Sequence, residues 1–285
     1  MIRTYYLLTK PGIIMGNLVT TASAFVLASR GAGFDWPLFL ATVVGLFFVI
    51  ASACVFNNYI DREADRKMAR TRNRALAQGL VSTQSALLFA VSMGIVGIVI
   101  LALYTNFLAA FVASIGFVVY VALYSLWKYH SYYATLVGSI SGAIPPVVGY
   151  CAASNRFDMG AAILFIILVL WQMPHFFSIA LFRQDEYAAA SIPVLPVAKG
   201  VLATKIQMLI YIIAFMLATF LLIAFGYTGY FYLIVVAALS CSWLWLCIKG
   251  FKSQNDQVWA RKMFRLSLVV IMFLSFMICI DATSI

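Results

Sequence analysis

Residues 39–56, FLATVVGLFFVIASACVF, run directly into residues 57–74, NNYIDREADRKMARTRNR. The first block carries no charge, and a helix through it approaches the roughly 20 apolar residues that cross the hydrocarbon core of a bilayer. The second holds Asp61 and Asp65 four residues apart, Glu63 between them, and six Lys and Arg. An apolar run that ends in a dense basic cluster marks a chain leaving a membrane at its surface. Repelling carboxylates are costly there unless something bridges them, so the stretch that sets the fold also poses the question of function.

Similar apolar blocks recur along all 285 residues, which are 65% hydrophobic and 10% charged, with mean hydropathy +1.01. Soluble domains are about half apolar and about a quarter charged, so that class is excluded. The fold expected is all-α: one polytopic membrane domain over residues 1–285, a bundle of about nine transmembrane helices in the lipid bilayer. The candidate spans are 11–28, 38–57, 84–104, 107–127, 133–153, 160–182, 206–225, 228–248 and 266–281, drawn at about 20 residues each. The first block, with Arg3 and Lys10 ahead of it, imitates a signal peptide. It is long enough to span and is followed by many like it, so it reads as the first helix.

Numbering the loops alternately places 17 of the 19 Lys and Arg on one side and only Arg30 and Arg156 on the other. The positive-inside rule then puts the N-terminus and the charged loops in the cytoplasm. The net charge of +10 sits in short loops between spans rather than on a soluble basic face, which argues against nucleic acid. Cys54, Cys151, Cys241, Cys247 and Cys279 show no metal-type spacing and read as small buried hydrophobes.

If the second span continues as a helix beyond the membrane, Asn57, Asp61 and Asp65 share one face. Glu63 has an ion-pair partner in Lys67 at i+4, whereas Asp61 meets Asp65 there, a repulsion of about 0.2–0.5 kcal/mol. Two carboxylates on one face suit an oxygen-loving divalent cation, and Mg²⁺ is usually held by one or two carboxylates plus substrate phosphates. Arg62, Arg66, Arg70 and Arg74 also repeat every four residues, and arginine is the preferred side chain for phosphate. Together they predict a metal–diphosphate site, with Arg66, Lys67 and Lys128 as further candidate contacts to the anion. A plain lipid-headgroup anchor accounts for the bases but not for the aspartate pair. A second charged loop, FRQDEYAAASIPVLPVAKG after the sixth span, offers Arg183, Asp185, Glu186 and Tyr187. Lying four helices after the first, it hints at a duplicated four-helix unit. His175 lies inside the sixth span next to Pro174, and ionisable groups at membrane depth are functional candidates. His130 reads as interfacial, and the double proline of SGAIPPVVGY is expected to break the fifth helix.

The runs NNYIDREADRKMARTRNRALAQG, SGAIPPVVGY, WQMPHFF and FRQDEYAAASIPVLP together resemble the protohaem IX farnesyltransferases (haem O synthases), a branch of the intramembrane UbiA prenyltransferases. The resemblance extends from TKPGIIMGN to VWARKMF. It implies transfer of farnesyl from farnesyl diphosphate to a vinyl group of haem b, with water added, giving haem O and diphosphate. It further implies a haem-copper oxidase or haem A synthase downstream, and the absence of a transit peptide suggests a bacterial cytoplasmic (inner) membrane location. By the same resemblance Asn57, Asp61 and Asp65 match the Mg²⁺–diphosphate motif, Arg70 and Arg74 its basic pair, and Arg183 and Tyr187 the second-loop motif. His175 matches the histidine of PHF and would ligate the haem iron or orient the porphyrin. The second-loop aspartate of the family is Glu186 here, with Asp185 just before it, and both stand as candidate metal ligands. Rival expectations are another aromatic or tetrapyrrole acceptor, a membrane transporter, and a non-catalytic haem-handling protein.

Overall fold

The computed structural model describes residues 2–30 and 33–283. Among them are nine helices long and apolar enough to cross a membrane. They are α1 (Pro11–Ala28), α2 (Trp36–Lys67), α3 (Thr83–Tyr104), α4 (Phe107–Trp127), α5 (Ala134–Ser154), α6 (Met159–Phe182), α7 (Leu195–Ala224), α8 (Tyr230–Lys252) and α9 (Asp256–Asp281). Short helices Ile2–Leu8 and Gln184–Ala189 lie outside the spans.

The helix starts are written in polar side chains. Asp35, Ser82, Asn106, Asp158 and Asn255 each accept a backbone N–H of the first turn of the helix that follows. Each satisfies a first-turn donor that the helix itself leaves without a partner. The double proline divides α5 into Ala134–Gly142 and Ile144–Ser154, with Pro145 and Pro146 in the first turn of the second half. There their missing N–H groups cost nothing.

Several boundaries differ from the sequence expectation. Helix α2 runs on to Lys67 instead of ending at 57, α7 begins at Leu195 instead of 206, and α9 begins at Asp256 instead of 266. Hydropathy sees only the apolar part of a helix, whereas the hydrogen-bond ladder continues into polar turns. The 32 residues of α2 span about 48 Å, well over the roughly 30 Å of a hydrocarbon core, so its acidic end stands at the membrane surface. In α7 a break at Gly200 (φ 84°) separates the polar first turns from the apolar rest. In α4 the segment Val119–Tyr124 is a π-helix, which the sequence pattern did not suggest.

Successive helices pack on one another in chain order, and α9 returns against α1 to close a ring. Between lipid-bathed helices there is no hydrophobic drive, so close packing of small residues carries the association. On α3, a Cβ at Gly97 would lie 2.7 Å from the carbonyl of Gly45 on α2. A Cβ at Gly149 on α5 would lie 2.2 Å from the carbonyl of Thr21 on α1. Both glycines let backbones meet where any other residue would force them apart. The largest apolar cluster runs through the middle of the bundle, with Phe25, Ile167, Phe215 and Trp243 fully buried.

Candidate active site

The ring encloses a cavity with two joined chambers. The first, about 430 Å³, is lined by the last turns of α2, the loop after it, the ends of α4 and α6, and Arg183 and Tyr187. The second, about 620 Å³, is apolar and runs deeper between α1, α2, α4, α5, α6 and α9. Ile13, Tyr120, Tyr124, Phe176, Ile179 and Phe264 line both and form the passage between them.

Because α2 stays helical, Asn57, Asp61 and Asp65 share its inner face and are buried, while Arg62, Glu63, Arg66 and Lys67 turn outward. Asn57 donates from Nδ2 to Ser125 Oγ at 3.0 Å and accepts from Lys10 Nζ through Oδ1 at 2.5 Å. Asp61 accepts from Lys128 Nζ at 2.6 Å and from the Tyr129 hydroxyl at 2.7 Å. Asp65 accepts from Arg74 Nη1 at 2.8 and 3.0 Å. The aspartates therefore do not face each other unrelieved. Each has its own cation, brought by the α4–α5 loop for Asp61 and by the loop after α2 for Asp65.

Other expected site residues are placed differently from one another. Arg70, Arg74, Lys128, Arg183 and Tyr187 line the polar chamber with the aspartates. Arg70 has no carboxylate partner among the described residues, and lost hydration together with Arg74 and Arg183 pushes its pKa below the usual arginine value. Glu186 receives Arg183 Nη1 at 2.7 Å. Arg66 does not join them: it donates to the Ala77 carbonyl at 2.8 Å and takes Glu63 at 2.9 Å. That corrects the expected Glu63–Lys67 pair, since the i+3 guanidinium reaches Glu63 and Lys67 stays exposed outside the chamber. Asp185 is exposed and meets Gln257 at 3.4 Å, turned away from the chamber by the short helix Gln184–Ala189.

Two residues of the chamber escaped the sequence reading. Lys10 entered only as a positive-inside charge, yet its ammonium points inward to Asn57, and burial pushes its pKa down to about 8. KPG did not foretell it: Lys10 takes φ 54° ahead of Pro11, a left-handed backbone that only the folded chain reveals. Tyr129 gave no sequence signal. Burial and then Asp61 raise its pKa, so it remains a protonated donor to that carboxylate.

Among the described residues no three His, Cys, Asp or Glu side chains form a self-sufficient metal cage. The carboxylates lining the chamber are Asp61 and Asp65, and Glu186, next to the lining residue Tyr187, keeps its Oε2 buried without a partner. Such a set fits a hard cation that completes its coordination with phosphate oxygens. In the deeper chamber His175 is buried, with Nδ1 2.7 Å from Ser267 Oγ, and its ring is stacked 4.8 Å from Trp171. His130 is exposed and lies in neither chamber.

Comparison with known proteins follows the same lines. Residues 17–276 match the UbiA prenyltransferase family. The chain is 55% identical to the protoheme IX farnesyltransferase of Serratia proteamaculans, over 99% of this chain and 95% of that one. It is 53% identical to the protoheme IX farnesyltransferase of Protochlamydia amoebophila, over 99% of each. A solved digeranylgeranylglyceryl phosphate synthase shares the fold at TM-score 0.81 and 19% identity, over 98% of this chain and 97% of that one. So does a UbiA homologue from Archaeoglobus fulgidus bound to GPP and Mg²⁺, at TM-score 0.69 and 14% identity, over 97% of this chain and 99% of that one. A multi-pass helical bundle, a carboxylate-and-arginine chamber and full-length similarity converge: the chain belongs to the UbiA prenyltransferase family, in its protoheme IX farnesyltransferase branch.

Proposed function

We propose that the protein transfers the farnesyl group of farnesyl diphosphate to a vinyl group of haem b, with addition of water, to give haem O and diphosphate. The observation that carries this reading is the joined pair of chambers: a cationic pocket for diphosphate opens directly into a deeper apolar one of about 620 Å³, suited to a prenyl chain and an apolar acceptor. Arg70, Arg74, Lys128, Lys10 and Arg183 bind the diphosphate, fixed cations placed where negative charge grows as the C–O bond breaks. Asp61, Asp65 and the free oxygen of Glu186 hold Mg²⁺, which when bound supplies Lewis-acid charge to the leaving diphosphate.

At the passage, Tyr120 and Tyr124 stack at 5.4 Å on the π-turn of α4, a distortion common at functional sites. With Phe176 and Phe264 they offer aromatic faces to the allylic cation and keep bulk water from it. The vinyl group attacks from the deeper chamber. The charge asymmetry of the loops supports a polar chamber and an N-terminus that face the cytoplasm, in a bacterial inner membrane. The product then passes to a haem-copper oxidase or a haem A synthase. Family membership removes the transporter and the non-catalytic haem carrier from consideration.

The test is an assay in membranes with haem b, farnesyl diphosphate and Mg²⁺, with products read by mass spectrometry for wild type and Asp61→Asn. A farnesylated, hydrated haem that disappears in the variant and on chelation is the expected result. Prenylation of a different aromatic acceptor, with haem b untouched, would overturn the acceptor and leave the diphosphate site standing.

A further inference from the structure

Water has two opposite parts in the transfer of farnesyl to haem b. At the allylic cation it would waste the substrate as farnesyl alcohol, so it must be kept away. One molecule must nevertheless reach the haem vinyl group. When the terminal vinyl carbon bonds to farnesyl, positive charge is left on the inner carbon beside the ring, and the oxygen of water bonds there. An apolar chamber admits a single water at a fixed place only where polar groups receive it.

Several polar side chains of the deeper chamber are already committed. Asn17 donates to the Ile13 carbonyl at 2.8 Å, Thr20 to that of Asn17 at 2.9 Å, and Ser141 to that of Gly138 at 2.8 Å. Two polar atoms of the lining residues are buried without a partner: Gln172 Nε2 on α6 and Ser275 Oγ on α9. Depth separates these two. Gln172 comes one turn before Phe176 of the passage, on the same face of α6 and about 6 Å along it. Ser275 lies about three turns beyond Phe264 of the passage, about 16 Å deeper along α9. Of the two, only Gln172 is within a turn of the place where the cations form. Its side chain is enclosed, the residue being 4% exposed, and its Oε1 rests against bare Gly142 of α5, where a Cβ would overlap it.

Resting on the reading of haem b as the acceptor, we infer that Gln172 is the positioning residue for the water that adds to the vinyl group. A primary amide offers donors and an acceptor on one short side chain, and the Ser141 hydroxyl, next to Gly142 in the chamber wall, keeps lone pairs to accept a further bond. A buried polar group left unpaired at membrane depth is costly, and holding a reacting water gives it a purpose. The step balances. The C–O bond of farnesyl diphosphate breaks with its electron pair going to diphosphate, a C–C bond forms to the terminal vinyl carbon, and a C–O bond from water forms at the inner one. The proton that water gives up passes to the departing diphosphate.

The experiment gives the purified full-length protein, in lipid nanodiscs, haem b, farnesyl diphosphate and Mg²⁺ in water labelled with heavy oxygen. Mass spectrometry then reads the ratio of hydrated to water-free farnesylated haem. Wild type should give the hydrated product with one labelled oxygen. Gln172→Met keeps the length of the side chain and removes only an unpaired amide from an apolar wall, so folding is expected to hold. In that variant diphosphate release should continue, but the vinyl cation should lose a proton instead of gaining water. The product is then lighter by one water, and the ratio should fall about 10²-fold, the cost of a misplaced reactant. Gln172→Glu, of the same shape and still able to hydrogen-bond, should keep the hydrated product dominant. A Gln172→Met variant that keeps the wild-type ratio, or that loses both products together, overturns the role of Gln172. Prenylation of another acceptor by wild type, with haem b untouched, would instead overturn the reading of the acceptor on which the inference rests.

Discussion

Replacing Arg74 by alanine separates what the Asp65–Arg74 pair does for the fold from what it does for the reaction. Asp65 is almost completely enclosed, its side chain 6% exposed, and both carboxylate oxygens rest on one guanidinium nitrogen. Breaking a buried pair from one side costs about 3–5 kcal/mol, because the abandoned charge stays buried. Arg74 borders the open chamber at 26% exposure, so water can partly replace it and the lower end, about 3 kcal/mol, is expected. At about 2–4 °C per kcal/mol, the unfolding midpoint in metal-free detergent solution should fall by roughly 6–12 °C, read by tryptophan fluorescence. Turnover should fall about 10²–10³-fold with the loss of a fixed cation at the leaving group. Adding Asp65→Asn removes the stranded charge, so the double variant should regain most of the lost stability and none of the turnover. A wild-type midpoint in Arg74→Ala, or turnover restored in the double variant, would refute this reasoning.

Lys10 makes substrate binding pH-dependent: with a pKa of about 8, its charged fraction falls from about nine-tenths at pH 7 to about one-tenth at pH 9. The KM for farnesyl diphosphate should rise roughly tenfold over that interval, and Lys10→Met should abolish the rise. Since the folded-state value lies below 10.5, the unfolded chain holds this proton more tightly, and Lys10 makes stability increase with pH between about 8 and 10.5. The acidic neighbours in the second loop should separate cleanly. Asp185→Asn, exposed and outside the chamber, should stay within about twofold of wild type, whereas Glu186→Gln should raise the Mg²⁺ concentration needed for half-maximal rate about tenfold. Two glycines of α5 should also part company. Gly149→Ala presses on the α1 backbone and should abolish expression of folded protein, while Gly142→Ala displaces only the end of Gln172 and should raise the KM for haem alone.

Much of this protein is written in local chemistry. Bilayer thickness imposes a length on each apolar block, so all nine spans were legible in hydropathy. Helical periodicity put Asn57, Asp61 and Asp65 on one face, and the prolines marked the break in α5. What stayed hidden depends on groups far apart in the chain. That Lys128 and Tyr129 meet Asp61, and that Lys10 reaches Asn57, follows from ring closure around the chamber, which brings the ends of α1, α2 and α4 together. That Arg66 and Asp185 turn away while Arg70 lines the chamber depends on how the end of α2, the loop after it and the second charged loop pack together, which no spacing along the chain fixes. That His175 and Ser267, 92 residues apart, come within 2.7 Å of each other is likewise decided by packing. Sequence determined which residues could carry charge, metal or iron. Only the tertiary structure decided which of them share a cavity, because pairing energies in a low-dielectric interior depend on distances that no spacing along the chain encodes.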